Sequence, residues 1–103
     1  MHEKVEQALQ ATLRNWTAMS RSNMDEAEST ADGFEASFYL FIDVVRDWFN
    51  DLEQQPRTLE QLLELPMILT IIDLLPAPLY LNFETEAELI VENSLRHDED
   101  KYD

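Results

Sequence analysis

Apolar side chains recur at helical spacing through the middle of the chain, and this periodicity constrains the fold more than any other feature. From residue 34 to residue 52 they follow in steps of four and three: Phe34, Phe38, Phe41, Val45, Trp48 and Leu52. Ile42 and Phe49 widen this stripe to about 120°, a width typical of a helix that faces a core. Pro56 marks the end of the helix. The sequence therefore predicts a long, core-facing second helix.

A first helix is predicted over residues 3–22, because its apolar residues fall on one face at helical spacing. The next residues, 22–33, are small, polar and acidic and include the only glycine, Gly33. Such a stretch is typical of a loop, so an acidic linker is expected between the first two helices. Asp32 or Ser29 is then the expected N-cap of the second helix.

Thr58 and Gln61 have the spacing of a capping box, which predicts the start of a third helix. Pro66 is expected at the first position of a further helix, rather than at a kink within the third one. Residues 67–75 are apolar in almost every direction, which predicts a helix that is buried all round or used at an interface. A short strand is the alternative there, because several of these residues are β-branched.

Pro76 and Pro78 predict an extended backbone, and residues 79–83 alternate between apolar and polar like a strand. Thr85 then has the pattern of a cap for the last helix. Residues 97–103 form a polar tail that is expected to fray. Residues 1–103 are thus predicted to form an all-α fold, a single-domain bundle of four to five short helices.

The chain is strongly acidic, with 22 Asp and Glu against 7 Lys and Arg and a net charge of -15. Nucleic-acid binding needs clustered cations, and anionic membranes repel acids, so both are excluded as direct partners. The acids expected on the surface are Asp43, Asp47 and Asp51 of the second helix and Glu84, Glu86, Glu88 and Glu92 of the last one. One interpretation is that these acids are solvated faces and, for Glu84, Glu86 and Glu88, favourable charges near a helix N-terminus. The other is an acidic surface that attracts a partner with a basic surface.

The residues that most enzymes and metal sites require are scarce in this sequence. There is no cysteine, which excludes disulfides, thiolate metal sites and cysteine nucleophiles. The single glycine excludes a phosphate-binding loop, and His2 and His97 both lie near the termini, where a general base is poorly held. No enzyme activity, cofactor or metal ion is therefore predicted.

A metal-dependent nucleotide hydrolase is the main enzymatic alternative, since Asp43, Asp47 and Asp51 recur every four residues along one helix. Carboxylates of this kind bind magnesium together with substrate phosphates. The chain has no cluster of Lys or Arg that would hold a triphosphate. The hydrolase therefore ranks below a binding function.

Some apolar residues lie where a small helical domain has difficulty covering them. On the second helix they lie beside the main stripe, and on residues 67–75 they exceed what one neighbouring helix covers. The predicted partner surface consists of Leu40, Val44, Ile68, Ile72 and Leu75. A compact monomer that buries all five is the alternative, because exposed apolar patches are small on most monomers.

A cytoplasmic, non-enzymatic interaction protein is the function that these features favour. No signal peptide or apolar run of membrane-spanning length is visible, and cysteine is absent. The expected role is an adaptor or regulator of another protein, with apolar side chains giving affinity and acids guiding the approach. A second copy of the chain is an alternative partner. An alternative function is an inhibitor that imitates the phosphate charge of nucleic acid through Asp43, Asp47, Asp51 and the acids of Glu84–Glu92, and so occupies a DNA- or RNA-binding protein.

Overall fold

The computed structural model describes residues 2–101, with side chains described for residues 2–95. This part of the chain forms five α-helices and no β-strand, which confirms the predicted all-α fold. The helices are α1 (Glu3–Arg21), α2 (Ala27–Asn50), α3 (Leu59–Leu63), α4 (Pro66–Leu74) and α5 (Ala77–Lys101). None of the helices, over the residues described, has the length and apolarity needed to cross a membrane.

The chain divides into two compact units, Met1–Val45 and Arg46–Asp103, and the boundary falls within α2. In the first unit, α1 and the N-terminal part of α2 form an antiparallel hairpin. Trp16 meets Phe34 edge to face with ring centroids 5.3 Å apart. Nearer the loop, the Thr30 hydroxyl donates a hydrogen bond of 3.0 Å to Ser22. Residues close to the loop on one helix contact residues close to the loop on the other, and residues farther from the loop contact each other in the same way. The two helices therefore run in opposite directions.

Buried residues of the first unit lie on the stripes that the periodicity predicts. Val5 and Leu9 of α1 are fully buried, as is Phe41 of α2, and Phe38, Ile42 and Val45 on the same stripe of α2 are buried as well. The antiparallel register places Leu9 at the level of Phe41. Thr12 is the one buried polar residue of the described chain, and its hydroxyl contacts two backbone carbonyls, Ala8 O at 2.9 Å and Ser37 O at 3.1 Å. This hydroxyl therefore joins α1 to α2 inside the hairpin.

The connection between α1 and α2 is shorter than the predicted linker of residues 22–33. It comprises residues 22–26, because α2 begins at Ala27 rather than at Phe34. The Asn23 side chain accepts a hydrogen bond of 3.1 Å from the backbone N–H of Glu26, so it stabilises the turn just before the helix. Ser29 and Asp32 lie inside α2, so the prediction that one of them caps the helix is wrong.

α2 ends at Asn50, six residues before Pro56, so the predicted end was too late, and Gln55 satisfies the last carbonyls of the helix. The Gln55 amide nitrogen lies 3.3 Å from Phe49 O and 3.4 Å from Asn50 O. Its amide oxygen accepts a hydrogen bond of 2.6 Å from the hydroxyl of Ser94 on α5. Carbonyls at a helix end have no partner within the helix, so this one side chain caps α2 and links it to α5.

The capping box and the proline signal are both confirmed in the second unit. Thr58 accepts a hydrogen bond of 3.1 Å from Gln61 N, while the Gln61 side chain accepts one of 2.9 Å from Arg57 N. Pro66 opens α4 as a separate helix, since its missing N–H needs no partner in the first turn. Residues 67–74 are helical, so the strand alternative is wrong there.

α5 is longer than predicted and begins before the expected cap at Thr85. Residues 77–83 are helical, so the strand-like alternation is not found and the extended backbone predicted for Pro76–Pro78 is absent at Ala77 and Pro78. Leu75, directly before Pro76, does have an extended backbone. Pro78 lies in the first turn, where a proline costs no internal hydrogen bond, and Leu79 N donates to Pro76 O at 2.9 Å. The backbone of the predicted polar tail is helical to Lys101, while its side chains and residues 102–103 lie outside what the structure describes.

α5 supplies much of the core of the second unit. Leu79, Phe83, Ala87 and Ile90 follow in steps of four and three and are all buried. α3 contacts both α4 and α5. Burying side chains of this size stabilises a fold by about 1.5–3 kcal/mol each. The buried face of α5 therefore determines which of its residues are left at the surface.

Candidate functional site

The five residues of the predicted apolar surface do not form one exposed patch. Leu40 is 61% exposed and Val44 is half-buried, and both belong to the first unit. Ile72 of the second unit is half-buried, whereas Ile68 and Leu75 are buried, with exposures of 0% and 8%. Including Ile68 and Leu75 in an exposed surface is therefore wrong, because both side chains are buried, as Ile71 is.

The three aspartates predicted on α2 are exposed. Asp43 and Asp47 follow at an interval of four residues within the helix, and Asp51 comes just after its end. Within the described residues, no three His, Asp or Glu side chains are grouped so that they could hold a metal ion.

The four glutamates predicted on α5 separate into a row of three and one residue apart from it. Glu84, Glu88 and Glu92 recur every four residues, which places them along one side of the helix. Glu88 and Glu92 are exposed and Glu84 is half-buried. Glu86 is half-buried and lies two residues from both Glu84 and Glu88, which places it on another side of α5. We call Glu84, Glu88 and Glu92 the glutamate row.

Two exposed leucines lie beside this row. Leu81 is 70% exposed and Leu89 is 45% exposed, and Thr85 lies exposed between them at intervals of four residues. We call Leu81, Thr85 and Leu89 the leucine row. Each of its members precedes a member of the glutamate row by three residues, and residues three and four apart are neighbours on a helix surface. The two rows therefore run side by side along α5.

Sequence analysis alone missed the leucine row because it divided residues 77–95 into an extended segment and a later helix. With the whole segment read as one helix, Leu79 and Phe83 belong to the buried face. Leu81 then falls on the opposite face, as Leu89 does. The signal was the spacing of the buried residues, and Pro78 obscured it.

No lysine, arginine or histidine occurs between Thr58 and Leu95, whereas seven Asp and Glu do. Glu84 and Glu88 therefore have no cation within seven residues in either direction along the chain. Like charges four residues apart on a helix repel each other, so the glutamate row costs the isolated protein some stability. A basic partner would relieve that repulsion on binding.

Other exposed apolar residues are more scattered. On α4, Leu69 and Leu74 are 49% and 46% exposed but are five residues apart, which puts them on different sides of a short helix. On α2, Tyr39 and Leu40 are exposed next to each other. An open depression follows the outer face of α1, where charged and amide side chains line it. Of these surfaces, the two rows of α5 combine exposed leucines with carboxylates in the most regular way.

Comparisons with protein-family models, with curated proteins and with solved structures find no match to this chain.

Proposed function

We propose that this chain is a small, acidic, non-enzymatic interaction module that acts as an adaptor or regulator of another protein. The observation that carries the proposal is the pair of rows on α5. Two exposed leucines lie beside three glutamates in a stretch of chain without a cation. Large apolar side chains in water favour burial against a partner, and the surrounding carboxylates favour a partner with a basic surface.

The two rows have different roles in this proposal. Leu81 and Leu89 supply the apolar contact that gives the complex most of its affinity. The glutamates accelerate the encounter and select against acidic competitors, since complementary charge acts mainly on association rate and specificity. In this proposal the partner surface lies on α5, and not on the predicted set of Leu40, Val44, Ile68, Ile72 and Leu75.

Affinity capture from the cytosol, followed by mass spectrometry, tests this proposal. We expect the wild-type chain to capture a basic protein and a variant with both Leu81→Ser and Leu89→Ser to lose it. The matched control is Leu40→Ser, which removes an equally exposed leucine from α2. Loss of the same partner from Leu40→Ser, with the α5 variant unaffected, would show that the surface lies on α2 instead.

A nucleic-acid mimic remains the second candidate, because Asp43, Asp47 and Asp51 are all exposed. A mimic acts through charge, so its binding falls steeply with salt and does not need the leucines. Asparagine at all three positions should weaken binding by a mimic and reduce its salt dependence. The same change would leave binding through α5 close to the wild-type level. The triple asparagine variant and the variant with Leu81→Ser and Leu89→Ser together therefore distinguish the two candidates.

A further inference from the structure

The shape of the leucine row restricts what can bind to it. Leu81 and Leu89 are two helical turns apart, about 12 Å along the axis. Thr85 lies between them and is shorter than either leucine, so the row is lowest at its centre. A side chain from a partner fits there between two leucines, as a knob fits a hole in packed helices. The row is thus suited to an elongated element that runs along α5.

Two common modes of peptide binding do not suit this surface. An added β-strand needs an exposed sheet edge, and α5 uses its backbone groups within the helix. A polyproline segment needs a groove lined by aromatic rings, and neither row of α5 contains an aromatic residue. A helix that packs through its own apolar stripe needs neither feature.

The charge of the glutamate row indicates whether the partner helix is acidic or basic. A second copy of the chain would bring another net charge of -15 and its own glutamate row against the first one. Like charges that face each other across an interface repel and weaken the complex. A helix with Lys or Arg beside its apolar stripe meets the glutamates with opposite charge instead. Charge complementarity therefore favours a basic partner over self-association.

Resting on the proposed function, we infer that the partner docks through a basic amphipathic α-helix that lies along α5. An apolar side chain of this helix seats over Thr85, between Leu81 and Leu89. Its Lys or Arg residues face Glu84 and Glu88. The leucine row packs against the apolar stripe of the partner helix, and the glutamate row pairs with the cations beside that stripe.

Two synthetic peptides of leucine and lysine test this inference on the full chain. One is an all-L amphipathic 14-residue helix with leucines on one face. The other has the same sequence with D-residues interspersed, so its composition and charge are equal but it cannot form a helix. We expect the all-L peptide to shift amide resonances of residues 81–92 and to bind at least about tenfold more tightly than the mixed peptide.

Variants locate the contact. We expect Leu81→Ser with Leu89→Ser to weaken binding of the all-L peptide by about tenfold or more, the loss typical of central interface residues. Glu88→Gln should weaken it by a smaller factor and reduce its salt dependence. Leu40→Ser is the control and should bind the peptide as the wild type does.

Each alternative outcome has a distinct meaning. Equal binding of the two peptides, lost in the α5 leucine variant, would overturn the helical partner but leave the proposed basic-partner function in place. If the all-L peptide binds the variant with Leu81→Ser and Leu89→Ser as tightly as the wild type, the location of the site on α5 would be contradicted. No binding of either peptide at low salt would overturn both the inference and the proposed function.

Discussion

Gly33 lies inside α2 on an exposed side, where a glycine weakens a helix. A Cβ built at this position meets nothing within 4 Å, and the residue does not have a positive φ angle. Gly33→Ala should therefore raise the free energy of unfolding by about 1 kcal/mol, the difference in helix propensity. Urea denaturation measures this change. Ala31→Gly, at a neighbouring exposed position, should lower the stability by a similar amount; an unchanged or less stable Gly33→Ala would contradict the prediction.

Thr12 provides a second test at the scale of one residue. Its buried hydroxyl lies 3.1 Å from Ser37 O on the facing helix, and valine has the same shape without the hydroxyl. Thr12→Val should cost about 1–2 kcal/mol, because it leaves a buried carbonyl without this donor. Thr17→Val is the matched control, since Thr17 is exposed and bonds only within α1. Equal effects of the two variants on the thermal midpoint would rule out a special role for Thr12.

At the scale of the helix, the four-residue spacing of the glutamate row lowers the stability of α5, while the same charges favour binding of a basic partner. Glu88 lies four residues from both Glu84 and Glu92, so it takes part in two like-charge pairs. Glu88→Lys converts both pairs from repulsion to attraction and should stabilise α5 by about 1–2 kcal/mol. The same change should weaken binding of the lysine-rich peptide, because it places a cation beneath the partner's cations.

Urea denaturation and peptide titration of the same variant test this opposition. Glu88→Gln removes the repulsion without adding attraction, so it should give a smaller gain in stability. Glu35→Lys changes the net charge equally on α2 and should leave peptide binding near the wild-type level. A Glu88→Lys protein that binds the peptide more tightly would show that the glutamate row has no role in recognition.

How well each helix could be predicted depended on how one-sided its sequence is. The stripe from Phe34 to Phe49 and the Thr58–Gln61 capping box each have one physical interpretation, and α2 and α3 follow them. On α4, apolar residues point in all directions, so periodicity could not separate buried Ile68 from exposed Leu69. Which of them is buried depends on the tertiary neighbours of α4, and these are not encoded in its local pattern.

The site on α5 was predicted only in part, for a related reason. The glutamates were identified from charge alone, since acids of this density stay at a surface. The leucines were missed because Pro76 and Pro78 are more often found in extended chain or turns than within a helix start. Near a helix start the same residues are compatible with helix, and only the packing of Leu79 and Phe83 decides between the two.

At the scale of the whole molecule, the net charge of -15 opposes the compact state. Self-repulsion of this kind lowers stability, and salt screens it. Raising sodium chloride from about 0.01 M to about 0.1 M shortens the Debye length from about 30 Å to about 10 Å. The thermal midpoint of unfolding should therefore rise over this range, as a thermal melt followed by circular dichroism would show.

Binding should respond to the same salt in the opposite direction, because screening weakens the attraction between the glutamate row and a basic helix. The two responses can be separated by replacing acids away from α5. Glutamine or asparagine at Glu28, Asp32 and Glu35 should flatten the salt dependence of the thermal midpoint while the salt dependence of peptide binding stays as it is. If both responses flattened together, the attraction would come from the overall charge of the molecule rather than from the row on α5, and the leucines alone would define the site.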